Sequence, residues 1–188
     1  MKNIIIILIL LPITIFSQNN FTHSYLTNEV INNKRWESDI KIFIYGNYTN
    51  KNRVIIDETI KYFNSLLETI QISVVEDKDS SNTEIYFLTD NEYHNLFPYS
   101  DHSLNIGATY NKKSLYSDSV YIGAKIHIDS YENELFDSFE YVIKHEMFHM
   151  LGFSHHKNEG ESIINHSKDF TKKDEEMIRY LYSKDFKF

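Results

Sequence analysis

Cysteine is absent from this 188-residue chain, proline occurs twice, glycine five times and tryptophan once. Without cysteine no disulfide can form, and no lipid-modified cysteine can follow a leader segment. No tract rich in proline, glycine or serine interrupts the chain and no repeat is present, so a single folded domain is expected. Clustered basic residues are also missing. The 19 lysines and arginines stand against 27 aspartates and glutamates, a formal net charge of −8. Such a surface disfavours phosphate backbones and anionic lipids, which counts against nucleic acid as a partner.

One long apolar run exists, from Ile4 to Phe16, preceded by Lys2 and followed by Ser17. It is shorter than the roughly 20 residues that cross a bilayer and fits the hydrophobic region of a secretory signal. Residues 1–17 are therefore expected to be a signal peptide cut before Gln18, with no stable membrane insertion afterwards and a secreted or periplasmic product. Residues 18–38 read as a polar lead-in. The remainder is long enough to bury roughly 70% of its unfolded surface in one core, held by packing alone.

From Asp39 the patterning sharpens. Ile40, Ile42 and Ile44 alternate with Lys41, Phe43 and Tyr45 as in a strand that stops at Gly46. Val54 to Leu67 carries apolar residues at helical spacing. Strand-like runs follow at 70–75, 83–88, 104–110 and 120–128, with a short helical or irregular piece around 91–97. The loop between the first two of these, Glu76 to Asn82, is acidic but lacks a calcium-loop pattern, and no calcium is expected. A strand, a helix and then several strands predict a mixed sheet with a helix on one face, the α+β class.

A second helix is expected from about Glu132 to Gly152, where Phe136, Phe139, Ile143, Met147 and Met150 form an apolar stripe. Four of the nine histidines, His145, His149, His155 and His156, crowd into twelve residues here. At about 100° per residue, His145, Glu146 and His149 lie at azimuths of about 0°, 100° and 40°, on one side of the helix. Two imidazoles one turn apart can bind one ion. A carboxylate beside the first faces the open coordination position instead. Gly152 permits a chain reversal that lets His155 return as a third ligand. Zinc held by three neutral histidines lowers the pKa of a water, and Glu146 can take the proton as general base.

The string from His145 to His155, HEMFHMLGFSH, resembles the zinc-binding signature HExxHxxGxxH of the metzincin metalloproteases at every specified position. The order of elements before it and the tail at 170–182 resemble the short, matrixin-like branch. The resemblance spans about residues 39–183. It implies a metzincin-like fold for 39–188, a single zinc-metalloprotease-like catalytic domain: a mixed twisted sheet, an active-site helix and a small C-terminal subdomain ending in a helix. It also implies one catalytic Zn2+, a peptide or protein substrate laid antiparallel to an edge strand near 105–110, and secreted endopeptidase activity in a monomer. One departure stands out, because Ile164 occupies the place of the methionine that packs beneath the zinc in this family.

Two other readings remain. His166 or His156 could close the coordination sphere, giving a non-catalytic zinc-stabilised module, or Ile164 could mark a degenerate domain that binds peptides without cutting them. Glu146 favours the enzyme, since a purely structural site has no use for a carboxylate there. His127 reads as a packed strand histidine.

Overall fold

A computed structural model describes residues 34–97, 107–131, 138–153, 162–165 and 167–186. The expected signal peptide, most of the lead-in, His155, His156 and His166 lie outside these residues. Six strands form one mixed sheet: β1 (Arg35–Trp36), β2 (Ile40–Gly46), β3 (Ile72–Val74), β4 (Thr83–Leu88), β5 (Gly107–Lys113) and β6 (Val120–Asp129). The helices among the described residues are α1 (Asn50–Asn64), α2 (Asp90–Leu96), α3 (Phe139–Met150) and α4 (Lys172–Leu181). The expected mixed sheet, long helix after the last strand and terminal helix are all present.

The sheet runs in the order β1, β6, β4, β2, β3 with every one of these pairs parallel. Strand β5, off this path, pairs antiparallel with β6, with Gly107 opposite Ile128 and Thr109 opposite Ile126. Alternation along each strand sends Ile40, Ile42, Ile85, Phe87, Ile126 and Ile128 to one face, where they join Ile56, Phe63, Val142, Ile143, Met147 and Phe148 in the main core. A smaller cluster of Tyr86, Leu88 and Tyr93, with Phe97 packed against it, covers the opposite face under α2. Central strands covered on both sides account for the nearly continuous burial of β4 and of the end of β6.

The start of α1 departs from the apolar periodicity because polar capping sets it. Helix α1 begins at Asn50, not Val54, since the Thr49 hydroxyl accepts from the Asn52 amide and the Asn52 side chain returns to the Thr49 amide. The same reciprocal pair recurs at Thr89 with Glu92 before α2 and at Thr171 with Asp174 before α4. Leu66 and Leu67, expected on α1, are buried in the turn after it. The edge strand continues to Lys113, past the expected end at 110, its described part being Gly107–Lys113.

The end of α3 is held from three directions. A buried helix C terminus leaves carbonyls that need donors. Asn111 Nδ2 donates to the His149 carbonyl at 2.8 Å, Trp36 Nε1 to that of Met150 at 2.8 Å and Tyr182 Oη to that of Leu151 at 2.6 Å. Trp36, placed by sequence in the lead-in, is thus a fully buried member of the sheet. Gly152 then turns the chain with φ +111°, and a Cβ there would lie 1.8 Å from the Lys34 carbonyl oxygen.

Two substitutions test this anchoring by urea denaturation. Trp36→Phe keeps the bulk but orphans the Met150 carbonyl and should cost about 1–3 kcal/mol. Gly152→Ala meets both a positive φ and a backbone clash, and should cost more than Trp36→Phe.

Candidate metal centre

Helix α3 lies across the sheet with Val142, Ile143, Met147, Phe148 and Met150 buried, so the residues between them are carried to the neighbouring face near β5. His145 and His149 come together there. Their Nε2 atoms are 3.1 Å apart and their rings meet at 79°. His145 Nδ1 lies 2.9 Å from the Ile163 carbonyl oxygen, and His149 Nδ1 makes a short hydrogen bond with the Phe153 carbonyl. A carbonyl only accepts, so each Nδ1 carries a hydrogen, and in the neutral ring each Nε2 then presents a lone pair.

Two facing lone pairs repel unless a cation lies between or beside them. Two nitrogens about 2.0–2.1 Å from one tetrahedral zinc would be about 3.3 Å apart, close to the spacing found. Carbonyls that hold the far nitrogen of each ring are the usual outer support of metal-ligating histidines. The donor chemistry therefore fits zinc. Tyr141 Oη lies 3.1 Å from His145 Nδ1 and adds a further contact on the same ring.

Glu146 projects from the adjoining turn and is almost completely buried. Thr109 Oγ1 lies 2.7 Å from its Oε2 and 2.9 Å from its backbone oxygen, which ties the carboxylate to β5. The approach of β5 depends on Gly107. A Cβ at that position would sit 2.6 Å from Val142 Cγ1 and 3.0 Å from Glu146 Cγ and Oε1. Gly107, Thr109 and Asn111 alternate along β5 and so share the face that meets α3. Burial pushes the Glu146 carboxyl up to about 7, while the Thr109 hydroxyl acts in the opposite direction.

The support of His145 reaches into the tail. Ile163 belongs to a 3₁₀ turn over Ile163–Asn165, which also carries Ile164. Asp174, fully buried, accepts from the Ile163 amide at 3.0 Å and the Thr171 amide at 2.8 Å, and also from the Ser162 hydroxyl. One carboxylate thus caps α4 and fixes the carbonyl under His145. Ile164 is buried beside it in the main core.

Of the sequence-derived site residues, His145, Glu146 and His149 share one locus, and His155 falls outside the described residues. Sequence reading missed Thr109, Asn111, Tyr141 and Asp174. Thr171 and Asp174 do carry a local signal, the spacing of a capping box. The pairing of Thr109 with Glu146 has none, because it joins residues 37 positions apart.

The raised Glu146 pKa has a signed consequence for the metal-free protein. Between 4.5 and about 7 the folded state retains a proton that the unfolded chain releases. This contribution to stability is complete below pH 4.5 and is lost as pH rises through about 7, a change of about 3 kcal/mol. Urea denaturation from pH 5 to 8 should reveal it in the parent and not in Glu146→Gln. Asp174→Ala should cost about 3–5 kcal/mol at pH 7, since it leaves buried donors without an acceptor.

The chain matches no protein-family model and no curated protein. Among solved structures it is similar to two of myroilysin. One is 15% identical over 66% of this chain and the other 16% identical over 68%, each with a TM-score of 0.40. The chain spans about half the length of those proteins, 47% and 53% respectively.

Proposed function

We propose that this chain is an exported zinc-dependent endopeptidase of metzincin type, with His145, His149 and His155 as ligands and Glu146 as general base. The observation that carries the reading is the pair of Nε2 atoms 3.1 Å apart, each ring braced through Nδ1, beside a buried carboxyl. Two neutral rings braced in this way present convergent nitrogen donors that a single cation can satisfy. Export rests on the signal-like residues 1–17. Among the described residues no helix is long and apolar enough to cross a membrane.

Bound zinc would supply Lewis acidity toward a peptide carbonyl and lower the pKa of a water. The remaining work falls to the protein. Glu146, with a pKa near 7 before any ion is present, is matched to taking a proton at neutral pH and returning it to the leaving amine. Thr109 holds one carboxylate oxygen and so fixes the side chain beside the two imidazoles. Strand β5 pairs with β6 along one edge. Its other edge can receive an extended peptide as an added antiparallel strand, which brings backbone amides past Glu146.

Metal analysis and a peptide-library digest, run on the parent and on Glu146→Gln, test the proposal together. Zinc should remain in both proteins, while kcat/KM falls about 10²–10⁴-fold in the variant. Cleavage that survives the substitution refutes the base. Zinc with no cleavage in the parent would instead favour a peptide-binding domain.

A further inference from the structure

Single apolar side chains scattered over a surface need no explanation, whereas contiguous ones mark contact with a partner or a membrane. Leu115 and Tyr116 stand side by side in the turn between β5 and β6, 93% and 98% exposed. Among the described residues the next most exposed large apolar side chain, Tyr131, reaches only 61%.

The turn is built to hold them out. The Ser114 amide donates to the Val120 carbonyl at 2.8 Å and closes the hairpin. Ser114 Oγ accepts from the Tyr116 amide at 3.2 Å, and Ser117 Oγ accepts from the Ser119 amide at 3.2 Å. Serine hydroxyls thus take up backbone donors of the turn, and its two bulky side chains are left for another medium.

Cations gather just behind this tip. Lys112 and Lys113, both exposed, end β5. Strand β1 starts beside the turn, where the Arg35 amide donates to the Ser119 carbonyl at 3.1 Å, and so brings Lys34 to the same place. The ammonium groups of Lys34 and Lys113 meet. That contact first, and desolvation second, push the Lys34 pKa down, while Asp118 acts in the opposite direction. Two like charges held together repel, and an anion set against both relieves the repulsion. Composition counts against anionic lipids when charge is averaged over the whole chain. Physiological salt, however, limits charge interactions to about 8 Å, so the lysines at the tip outweigh carboxylates elsewhere on the surface.

We propose that the β5–β6 turn is a membrane-contacting tip, in which Leu115 and Tyr116 enter the interfacial layer of an anionic bilayer while Lys34, Lys112 and Lys113 rest on its phosphates. Such a bilayer carries a negative layer directly above an apolar one, the same order in which the lysines and the tip are arranged. Leucine supplies apolar area, and tyrosine suits the boundary because its ring is apolar and its hydroxyl polar. Neither part suffices by itself. Two side chains bury too little to anchor the chain, and lysines alone would hold it only at low salt. Contact through both is reversible and brings the chain to a surface without crossing it.

The proposal does not rest on the protease reading. The chain from Gln18, which keeps every element of the described fold and lacks the apolar run Ile4–Phe16, is sedimented with vesicles. The vesicles are phosphatidylcholine alone or phosphatidylcholine mixed equally with phosphatidylglycerol. The protein should pellet with the mixed vesicles, stay in solution with the neutral ones, and dissociate as salt is raised. Leu115→Ser/Tyr116→Ser should abolish pelleting. Lys34→Gln/Lys113→Gln should weaken partitioning about tenfold or more. Both variants should keep the parent's thermal unfolding, since they change surface side chains.

A parent that stays in solution with both kinds of vesicle overturns the proposal. Pelleting that survives Leu115→Ser/Tyr116→Ser, or that is equal with neutral vesicles, overturns it as well. Self-association that Leu115→Ser/Tyr116→Ser removes, in a chain that ignores lipid, overturns it in favour of a second copy as the occupant. Vesicle binding without any peptide cleavage supports the tip while refuting the catalytic centre.

Discussion

The candidate centre depends on where two imidazole hydrogens go. His145 and His149 each direct Nδ1–H at a backbone carbonyl, from Ile163 and Phe153, and that commitment turns both Nε2 atoms toward one point, 3.1 Å apart. A helix supplies the one-turn spacing, but it does not choose the tautomer or the ring angle. The carbonyls that choose them come from the chain after α3. The convergence of the two rings is therefore a property of the closed tertiary structure, not of the helix.

Those carbonyls are themselves held from far away. Asp174 fixes Ile163 from the start of α4, and the turn at Phe153 follows a helix end whose carbonyls are satisfied by Asn111, Trp36 and Tyr182. Trp36 and Tyr182 lie near opposite ends of the described chain, yet the Trp36 amide donates to Tyr182 Oη at 3.3 Å. The N- and C-terminal segments thus close over the same helix terminus. In a protein without a disulfide, this buried polar network does part of what a covalent link would otherwise do, because each unsatisfied carbonyl would cost about 1–3 kcal/mol.

The sheet serves two faces differently. Toward α3, β5 must come close enough for a threonine hydroxyl to reach Glu146, and Gly107 makes room for that approach. Away from α3, the same β6 presents His127 and Asp129 to α2. Two-residue alternation along a strand buried on both sides separates the two sets of side chains by a single layer of backbone.

Local periodicity made much of this legible in advance. The spacing of His145, Glu146 and His149, the isoleucine alternation of β2 and the apolar stripe of α3 are set within a few residues, since backbone geometry alone relates them. The start of α1 departs from that periodicity because a polar capping pair, not the apolar stripe, determines it. What only the tertiary structure decided are the contacts between distant residues: Thr109 on Glu146, Asp174 beneath His145 and Trp36 on the end of α3. Side chains of these types are ordinary at any surface position, and nothing in their local sequence says which partner they will meet. That is fixed when the apolar faces of the sheet and helices close on one another, because burial then forces each enclosed polar group to find its complement.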